Sequence, residues 1–428
     1  MKKICVLGLG KTGVSIIKEF LGSAQLYLYD DNSELLGKLC NEYKLPKFID
    51  QDLDLLVVSP GIPNNKIKKH HIISMAEEKK ILITSDIEIF QSKNPQAKYI
   101  GVTGTNGKST TTALIGKILD VAGLKAAVCG NIGVPVLETH QADIYVIELS
   151  SYQIDLLKEI KLDIAICLNV TPDHMNCYLD MNDYTISKSR IFTDKSTNII
   201  SADYEHCKKI IDETKYNYKE ISRETIISDG VSIIDDMIYI NGYKYHVPYN
   251  QSLVGKYNGE NVAAAVAASI TIGIQVDDIL RGIKEFKGLS HRMEIILHDE
   301  KKNVLYINDS KATNTISTRA AFEGLREKNI IWIVGGLCKD EGIESLHEFF
   351  SFIKKAYLIG SSTDYFYEIL TSYGVLAEKS YNLENVMNTI KDCSDCTILL
   401  SPACSSTDQW KNFEERGNAF RKFVLSKS

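Results

Sequence analysis

Short apolar runs closed by Gly, Asp, Ser or Asn alternate with longer mixed stretches along nearly the whole chain. Such runs read as buried strands and the stretches between them as crossover helices, which predicts α/β layers on mostly parallel sheets. The first unit is the run Lys3–Leu7, the turn Gly8-Leu9-Gly10-Lys11-Thr12-Gly13 and a helix over 14–21. A second strand is expected at Gln25–Tyr29, ending in Asp30, and another over 54–59, before the turn Pro60-Gly61-Ile62-Pro63. This first domain closes near residue 93, and 92–96 reads as a polar linker.

A second domain opens at about residue 97 with a strand over 97–103, and further strands are expected near 125–129, 143–149 and 163–169. Over 215–250 the pattern changes to short strands of polar alternation, and Asn241-Gly242 between MIYI and YKYH marks a hairpin. The stretch 259–272 is rich in Ala and Val and predicts a buried helix. A third α/β domain begins near 290, with strands over 304–307, 330–334, 356–359 and 397–400. The expected organisation is three domains, 1–93, 94–289 and 290–428.

Composition narrows the class without naming it. With 428 residues, 44% hydrophobic and 24% charged, the chain is ordinary globular protein, too long for one core. A net charge of −6 argues against a general nucleic-acid binder, yet leaves anionic substrates open, because a site needs only local positive charge. No run approaches the length of a membrane span, and the opening MKKICVLGLGKTG reads as strand and turn rather than signal peptide. A cytoplasmic enzyme is expected. The 10 cysteines are scattered, and the one CxxC, Cys393-Ser-Asp-Cys396, lacks the second half of a zinc site and is expected to be structural.

The richest chemistry lies at 104–112, GTNGKSTTT, directly after the strand over 97–103. A strand, a glycine turn, then Lys and hydroxyls opening a helix is how a chain grips a nucleotide triphosphate. Lys108 would reach the β/γ-phosphates, and Ser109 or Thr110 would ligate Mg²⁺. The generic pattern G-x-x-x-x-G-K-[ST] fails by one register, since Val102 stands where its first glycine belongs. Upstream, Gly8-x-Gly10-x-x-Gly13 with Asp30 matches the dinucleotide fingerprint, which serves a nucleotide diphosphate, a dinucleotide, or a tight turn alone. Glu148 ends an apolar strand in YVIELSSYQ, and His174 follows the next strand in NVTPDHM, so both belong to the ligand-facing edge of a parallel sheet. Lys188 by itself reads as an ordinary helix-surface lysine. NDSKATN (308–314), SPACSSTDQW (401–410) and Gly335-Gly336-Leu337-Cys338-Lys339 put hydroxyls and cations at strand ends, suited to carboxylates.

These segments together resemble the Mur ligase family over nearly the whole chain: GTNGKSTTT, GNIG (130–133), ELSSYQ, NVTPDHM, KYNGEN (256–261), SHRMEI (290–295), NDSKATN and SPACSSTDQWKNFEERG. The last two are similar to the members that take D-glutamate. The resemblance implies a Rossmann-like N-terminal domain for a UDP-sugar, a central P-loop ATPase domain, and a C-terminal Rossmann-like domain for the incoming amino acid. It implies ATP-dependent acid–D-amino-acid ligation through an acyl phosphate, with UDP-N-acetylmuramoyl-L-alanine and D-glutamate as small-molecule substrates. ATP and two Mg²⁺ ions would be needed, in a cytoplasmic monomer engaging neither nucleic acid nor membrane.

By the same resemblance, Gly104, Thr105, Asn106, Gly107, Lys108, Ser109, Thr110, Asn261, Arg292 and Asp309 bind ATP. Ser109, Glu148, His174 and a carbamylated Lys188 hold the metal ions, and Lys311 joins Lys108 at the reaction centre. Lys11, Thr12, Gly61, Asn131, Ser150, Gln153 and His174 hold the UDP-sugar, and Thr313, Lys339, Ser406, Thr407 and Phe413 hold D-glutamate. Three departures stand out. Asp31-Asn32 replaces the Thr and Arg common there, Pro172 stands for an acidic residue, and Lys11 for an apolar one. An extra carboxylate beside a diphosphate is unfavourable by about 1 kcal/mol at surface dielectric. Rival readings are another acid–amino acid ligase such as a folylpolyglutamate synthetase, a non-catalytic nucleotide-binding regulator, and an NAD-dependent dehydrogenase.

Overall fold

The computed structural model describes residues 1–50, 52–65, 67–253, 255–325, 329–338 and 342–426. It forms two compact units, one of 1–248 with 259–285, the other of 249–258 with 286–428.

The first unit carries two sheets. The N-terminal one joins β1 (Lys3–Leu7), β2 (Gln25–Tyr29), β3 (Leu55–Val58) and β4 (Leu82–Thr84) in the order β2-β1-β3-β4, all parallel. Its helix Lys11–Phe20 starts earlier than the periodicity implies. The reason is the glycine turn: a Cβ on Gly13 would lie 2.0 Å from the Gly8 carbonyl, so the helix packs against the turn from its first residues. The helix Asp86–Lys93 runs into the segment read as a linker, opened by a reciprocal capping box between Ser85 and Glu88.

The larger sheet holds β5 (Lys98–Thr103), β6 (Ala126–Gly130), β7 (Ile144–Glu148), β8 (Ile164–Cys167), β9 (Thr197–Ser201), β10 (Tyr218–Ser222), β11 (Gly230–Ile234), β12 (Met237–Ile240) and β13 (Tyr243–His246). Their order is β13-β12-β11-β10-β9-β8-β5-β7-β6. Pairing is parallel from β11 to β6, while β11-β12-β13 is an antiparallel meander that includes the expected Asn-Gly hairpin. β5 lies between β7 and β8, so the carboxyl ends of these three strands face one crevice. The helix Lys256–Ile272 is buried all round from Val262 to Ala268, as its composition predicts.

The second unit holds β14 (Glu294–Asp299), β15 (Val304–Asn308), β16 (Ile330–Gly335), β17 (Ile353–Ile359), β18 (Ala377–Tyr381) and β19 (Cys396–Leu400), in the order β14-β15-β19-β16-β17-β18. β14, which the pattern does not separate from its motif, is a half-buried edge strand antiparallel to β15 and carries a bulge between Ile295 and Leu297. Trp332 anchors the core, fully buried edge-on to Phe322, its indole N–H donating to the Ser401 carbonyl at 2.8 Å. Cys396 is buried and Cys393 half-buried, and burial pushes both thiols up, Cys396 to about 11, so they pack as neutral thiols.

Candidate functional site

Between β5 and the helix Lys108–Val121 the chain makes a turn that glycine permits, with φ of +147° at Gly104 and +84° at Gly107. Leu114, Ile115, Ile118 and Leu119 bury one face of the helix, which aims its N-terminus at the crevice. Gly107 occupies the N-cap and brings no side chain to it, so this end suits an anion. Asn261 closes on the turn: a Cβ at Gly107 would sit 2.1 Å from its Oδ1, which also accepts from Thr111 Oγ1 at 3.2 Å. Thr105 and Ser109 are buried, Asn106 is exposed, and Thr110 is half-buried.

A polar frame unassigned in the sequence reading holds the other side. The backbone N–H of Thr105 donates to the Asn169 carbonyl at 2.8 Å and to its Oδ1 at 3.1 Å, and the N–H of Asn106 donates to Oδ1 at 2.8 Å. Asn169 Nδ2 donates to the Asn106 carbonyl and to Glu260 Oε2. Burial raises the Glu260 carboxyl to about 8, although the Arg223 guanidinium and the bonds from Asn169 and Tyr204 oppose that. The signal was a lone Glu one residue before Asn261, at the entrance to a helix buried on every face.

Two ammonium groups converge on the loop. Lys108 Nζ donates to the carbonyls of Gly104 and Thr105, each at 2.8 Å. Lys188, which reads as a surface residue in sequence, is 1% exposed and donates to the same Gly104 carbonyl at 2.9 Å, with its Nζ 4.6 Å from the Tyr184 ring centroid. Burial, and then the charge of Lys108, lowers Lys188 to about 7.

Glu148 ends β7 in register with Val102 of β5, so it stands at the base of the phosphate loop. It is buried; Oε1 accepts from Asn131 Nδ2 at 2.8 Å, and Oε2 has no hydrogen-bond partner among the described residues. An orphaned carboxylate oxygen beside a phosphate loop fits a hard cation such as Mg²⁺, with the Ser109 hydroxyl as a second oxygen donor. Asn131 therefore orients Glu148. Ser150 and Gln153, expected on the UDP-sugar, form a reciprocal capping box on the helix Ser151–Leu156. His174 takes a left-handed backbone, φ +57°, on the exposed rim after β8, against the Tyr152 ring.

In the N-terminal sheet, Asp30 turns onto the glycine loop: Oδ2 accepts from the Leu9 N–H and Oδ1 from the Asn32 N–H. That employs the carboxylate a dinucleotide fold would offer to a ribose. Lys11 is exposed and Thr12 half-buried at the start of the first helix, while Gly61 is exposed in the turn after β3. Asn32 caps the helix Ser33–Tyr43, and Asp31 pairs with His70 Nε2 at 3.2 Å. His70 Nδ1 accepts from the Ile72 N–H, so Nε2 bears the proton and donates to Asp31.

In the second unit, the ends of β15, β19 and β16 bring together Asp309, Ser310, Ser401 and Gly335. Asp309 accepts from Ser401 Oγ at 2.8 Å and from the Met293 N–H at 3.2 Å; Arg292, beside Met293, helps offset its burial. Lys311 Nζ lies 4.0 Å from the Phe413 ring centroid. Thr313 is half-buried, Ser406 is buried, and exposed Thr407 shares a bond with Ser405. The Phe413 carbonyl accepts from Ser310 Oγ at 2.8 Å. Arg416, also missed in sequence, is fully buried; its guanidinium donates to the Ser310 hydroxyl and to the carbonyls of Ser310 and Cys404, tying the two strand-end loops. Lys339 lies outside the described residues.

Burial raises the Asp309 carboxyl from 3.8 to about 7. A raised acid keeps its proton in the folded state where the unfolded chain has lost it, so its stabilising contribution is complete below pH 4 and is lost as pH climbs through 7. The stability difference between wild type and Asp309→Asn should therefore shrink by roughly 2–3 kcal/mol from pH 5 to 8 in urea unfolding. Identical pH slopes in the two proteins would contradict this.

Residues 102–269 match the family described as Mur ligase middle domain. The chain is 41% identical over 98% of its length to UDP-N-acetylmuramoylalanine–D-glutamate ligase of Rickettsia prowazekii (strain Madrid E), covering 97% of that protein. The protein of the same name from Wolbachia pipientis wMel is 36% identical, with 98% and 95% covered. In fold, the chain is similar to UDP-N-acetylmuramate-alanine ligase MurC of Thermotoga maritima, with a TM-score of 0.65, 18% identity and 100% of both chains covered.

Proposed function

The chain belongs to the Mur ligase family, among its UDP-N-acetylmuramoylalanine–D-glutamate ligases, and on that premise we propose that it joins D-glutamate to UDP-N-acetylmuramoyl-L-alanine in an ATP-driven step of peptidoglycan precursor synthesis. The observation that carries the reading is the buried Glu148, with its unpartnered oxygen in register beside the phosphate loop. Transfer of the γ-phosphoryl group of ATP, with Mg²⁺ bound to its phosphates, would convert the substrate carboxylate into an acyl phosphate and release ADP; the amine of D-glutamate then attacks the acyl carbon, phosphate leaves and the amide forms. Phosphoryl transfer of this kind asks the protein mainly for positioning and charge neutralisation.

Lys108 and the helix N-terminus at Gly107 neutralise the phosphates, and Thr105, Asn106, Thr110 and Asn261 line them. Glu148 and Ser109 hold one Mg²⁺, and His174 with Lys188 serves a second. Lys188 is suited to carbamylation: burial, and then the charge of Lys108, lowers its pKa to about 7, so that near neutrality much of the amine is uncharged, and a neutral amine can take up carbon dioxide and so become an oxygen ligand. Lys11, Thr12, Gly61, Asn131, Ser150 and Gln153, with His174, belong to the UDP-sugar side. Arg292 and Asp309 meet ATP, Lys311 serves the reaction centre, and Thr313, Lys339, Ser406, Thr407 and Phe413 hold D-glutamate. The division into 1–93, 94–289 and 290–428 and action as a cytoplasmic monomer complete the proposal. No helix among the described residues is long and apolar enough to cross a membrane.

Phosphate release is the direct test. It should require ATP, Mg²⁺, UDP-N-acetylmuramoyl-L-alanine and D-glutamate together, fail with L-glutamate, lysine or no amino acid, and rise with added bicarbonate. Release with L-glutamate or lysine in place of D-glutamate would overturn the substrate assignment. No release in any mixture, from folded protein with bicarbonate present, would overturn the ligase reading.

A further inference from the structure

Glu260 stands behind the phosphate loop, 2% exposed near the start of the helix Lys256–Ile272. Its Oε2 accepts from Asn169 Nδ2 at 3.3 Å and from Tyr204 OH at 3.1 Å, while Oε1 is buried with no hydrogen-bond partner among the described residues. Arg223 and Asp203 are the charged groups that act on it. Asn169 is the only side chain among the described residues that bonds to the backbone N–H groups of both Thr105 and Asn106.

An asparagine amide has an accepting end and a donating end, and a half-turn about its last torsion exchanges them. In the observed orientation the oxygen faces two N–H donors of the loop. The flipped orientation would set an NH₂ group against those donors and break both bonds. Glu260 disfavours that alternative together with the Asn106 carbonyl, since an unprotonated Oε2 and the carbonyl, at 3.3 and 3.2 Å from Asn169 Nδ2, both accept from it. A neutral carboxyl acts the same way when its proton lies on Oε1, with Oε2 receiving Asn169 Nδ2 and Tyr204 OH. Once the amides of Thr105 and Asn106 are turned toward Asn169, the chain can reverse at Gly107 and present the start of the helix to an anion.

We propose that Glu260 is a positioning residue for nucleotide binding, setting the orientation of the Asn169 amide and, through it, the course of the phosphate loop at Thr105 and Asn106. The proposal rests on reading 104–112 as the loop that holds ATP.

A polarity swap tests it. Glu260→Gln keeps an oxygen that can accept and should bind ATP within about threefold of wild type. Asn169→Asp sets two carboxyl groups against each other and should weaken ATP binding about 30-fold. Combining them restores a donor opposite an acceptor, with the donor now on the glutamine, and should return affinity to within about fivefold of wild type. Glu260→Met, which leaves Asn169 in place without its partner, should weaken ATP about tenfold, with the KM for D-glutamate changed by less than about twofold. Titration calorimetry with ATP and Mg²⁺ measures the affinities, and thermal melts identify any variant that does not fold. A double variant no tighter than Asn169→Asp, or a folded Glu260→Met that binds ATP like wild type, would overturn the proposal while leaving the ATP-loop reading intact. Wild-type protein that does not bind ATP would remove both.

Discussion

Lys108→Met is expected to lower turnover about 10³-fold, with the protein still folded. The ammonium is half-buried and bridges the carbonyls of Gly104 and Thr105, so it is held over the turn before any phosphate arrives. A group already in place loses little order when charge develops on the transferring phosphoryl group, which is why its removal acts on turnover. Methionine keeps the apolar stem and discards the charge. The loss of the two loop bonds should cost the folded state on the order of 1–2 kcal/mol. A second consequence falls on Lys188, whose ordinary basicity is reduced by burial and then by Lys108; in the variant its pKa should rise from about 7. Steady-state kinetics and a melting curve check the first two effects. A loss of turnover smaller than about tenfold would remove Lys108 from the reaction centre.

Glu148→Gln should lower turnover about 10²- to 10³-fold and yet leave the melting temperature no lower than that of wild type. The two halves of this prediction come from one atom. Oε2 is buried without a partner among the described residues, an arrangement that opposes folding and that a bound cation would relieve. The amide keeps an oxygen for Asn131 Nδ2 and removes the buried charge. Kinetics across a Mg²⁺ titration, with parallel melts in the absence of nucleotide, separate the effects. A variant with wild-type turnover at ordinary Mg²⁺ would refute the metal role, and one that unfolds would show Glu148 to be chiefly structural.

The N-terminal turn and the phosphate loop were legible because each is a local code. Glycines at 104 and 107 permit backbone angles that other residues resist, and the apolar runs on either side specify a strand and a helix by period alone. Glu148 was legible for a related reason: a carboxylate closing an apolar strand of a parallel sheet can be assigned to an edge before the partner strands are known. The edge strand β14 and the helix entering the supposed linker at 92–93 were not, since a half-buried edge and a helix end depend on neighbours more than on pattern.

Lys188 marks the limit of such reading. Its own helix shows only weak amphipathic character, and nothing in ten flanking residues distinguishes it from a solvated lysine. It becomes a buried amine of lowered basicity only because the chain 84 residues upstream brings the Gly104 carbonyl to it. Asn169 and Glu260, 91 residues apart, likewise acquire meaning only when their side chains meet behind the loop. By itself the sequence determined the α/β class, the strand ends and the phosphate-gripping turn, all products of short-range periodicity and backbone sterics. The tertiary structure alone decided which polar groups are desolvated, which amide is oriented and which carboxylate oxygen is left without a hydrogen bond, because burial and long-range pairing exist only once distant segments share one interior.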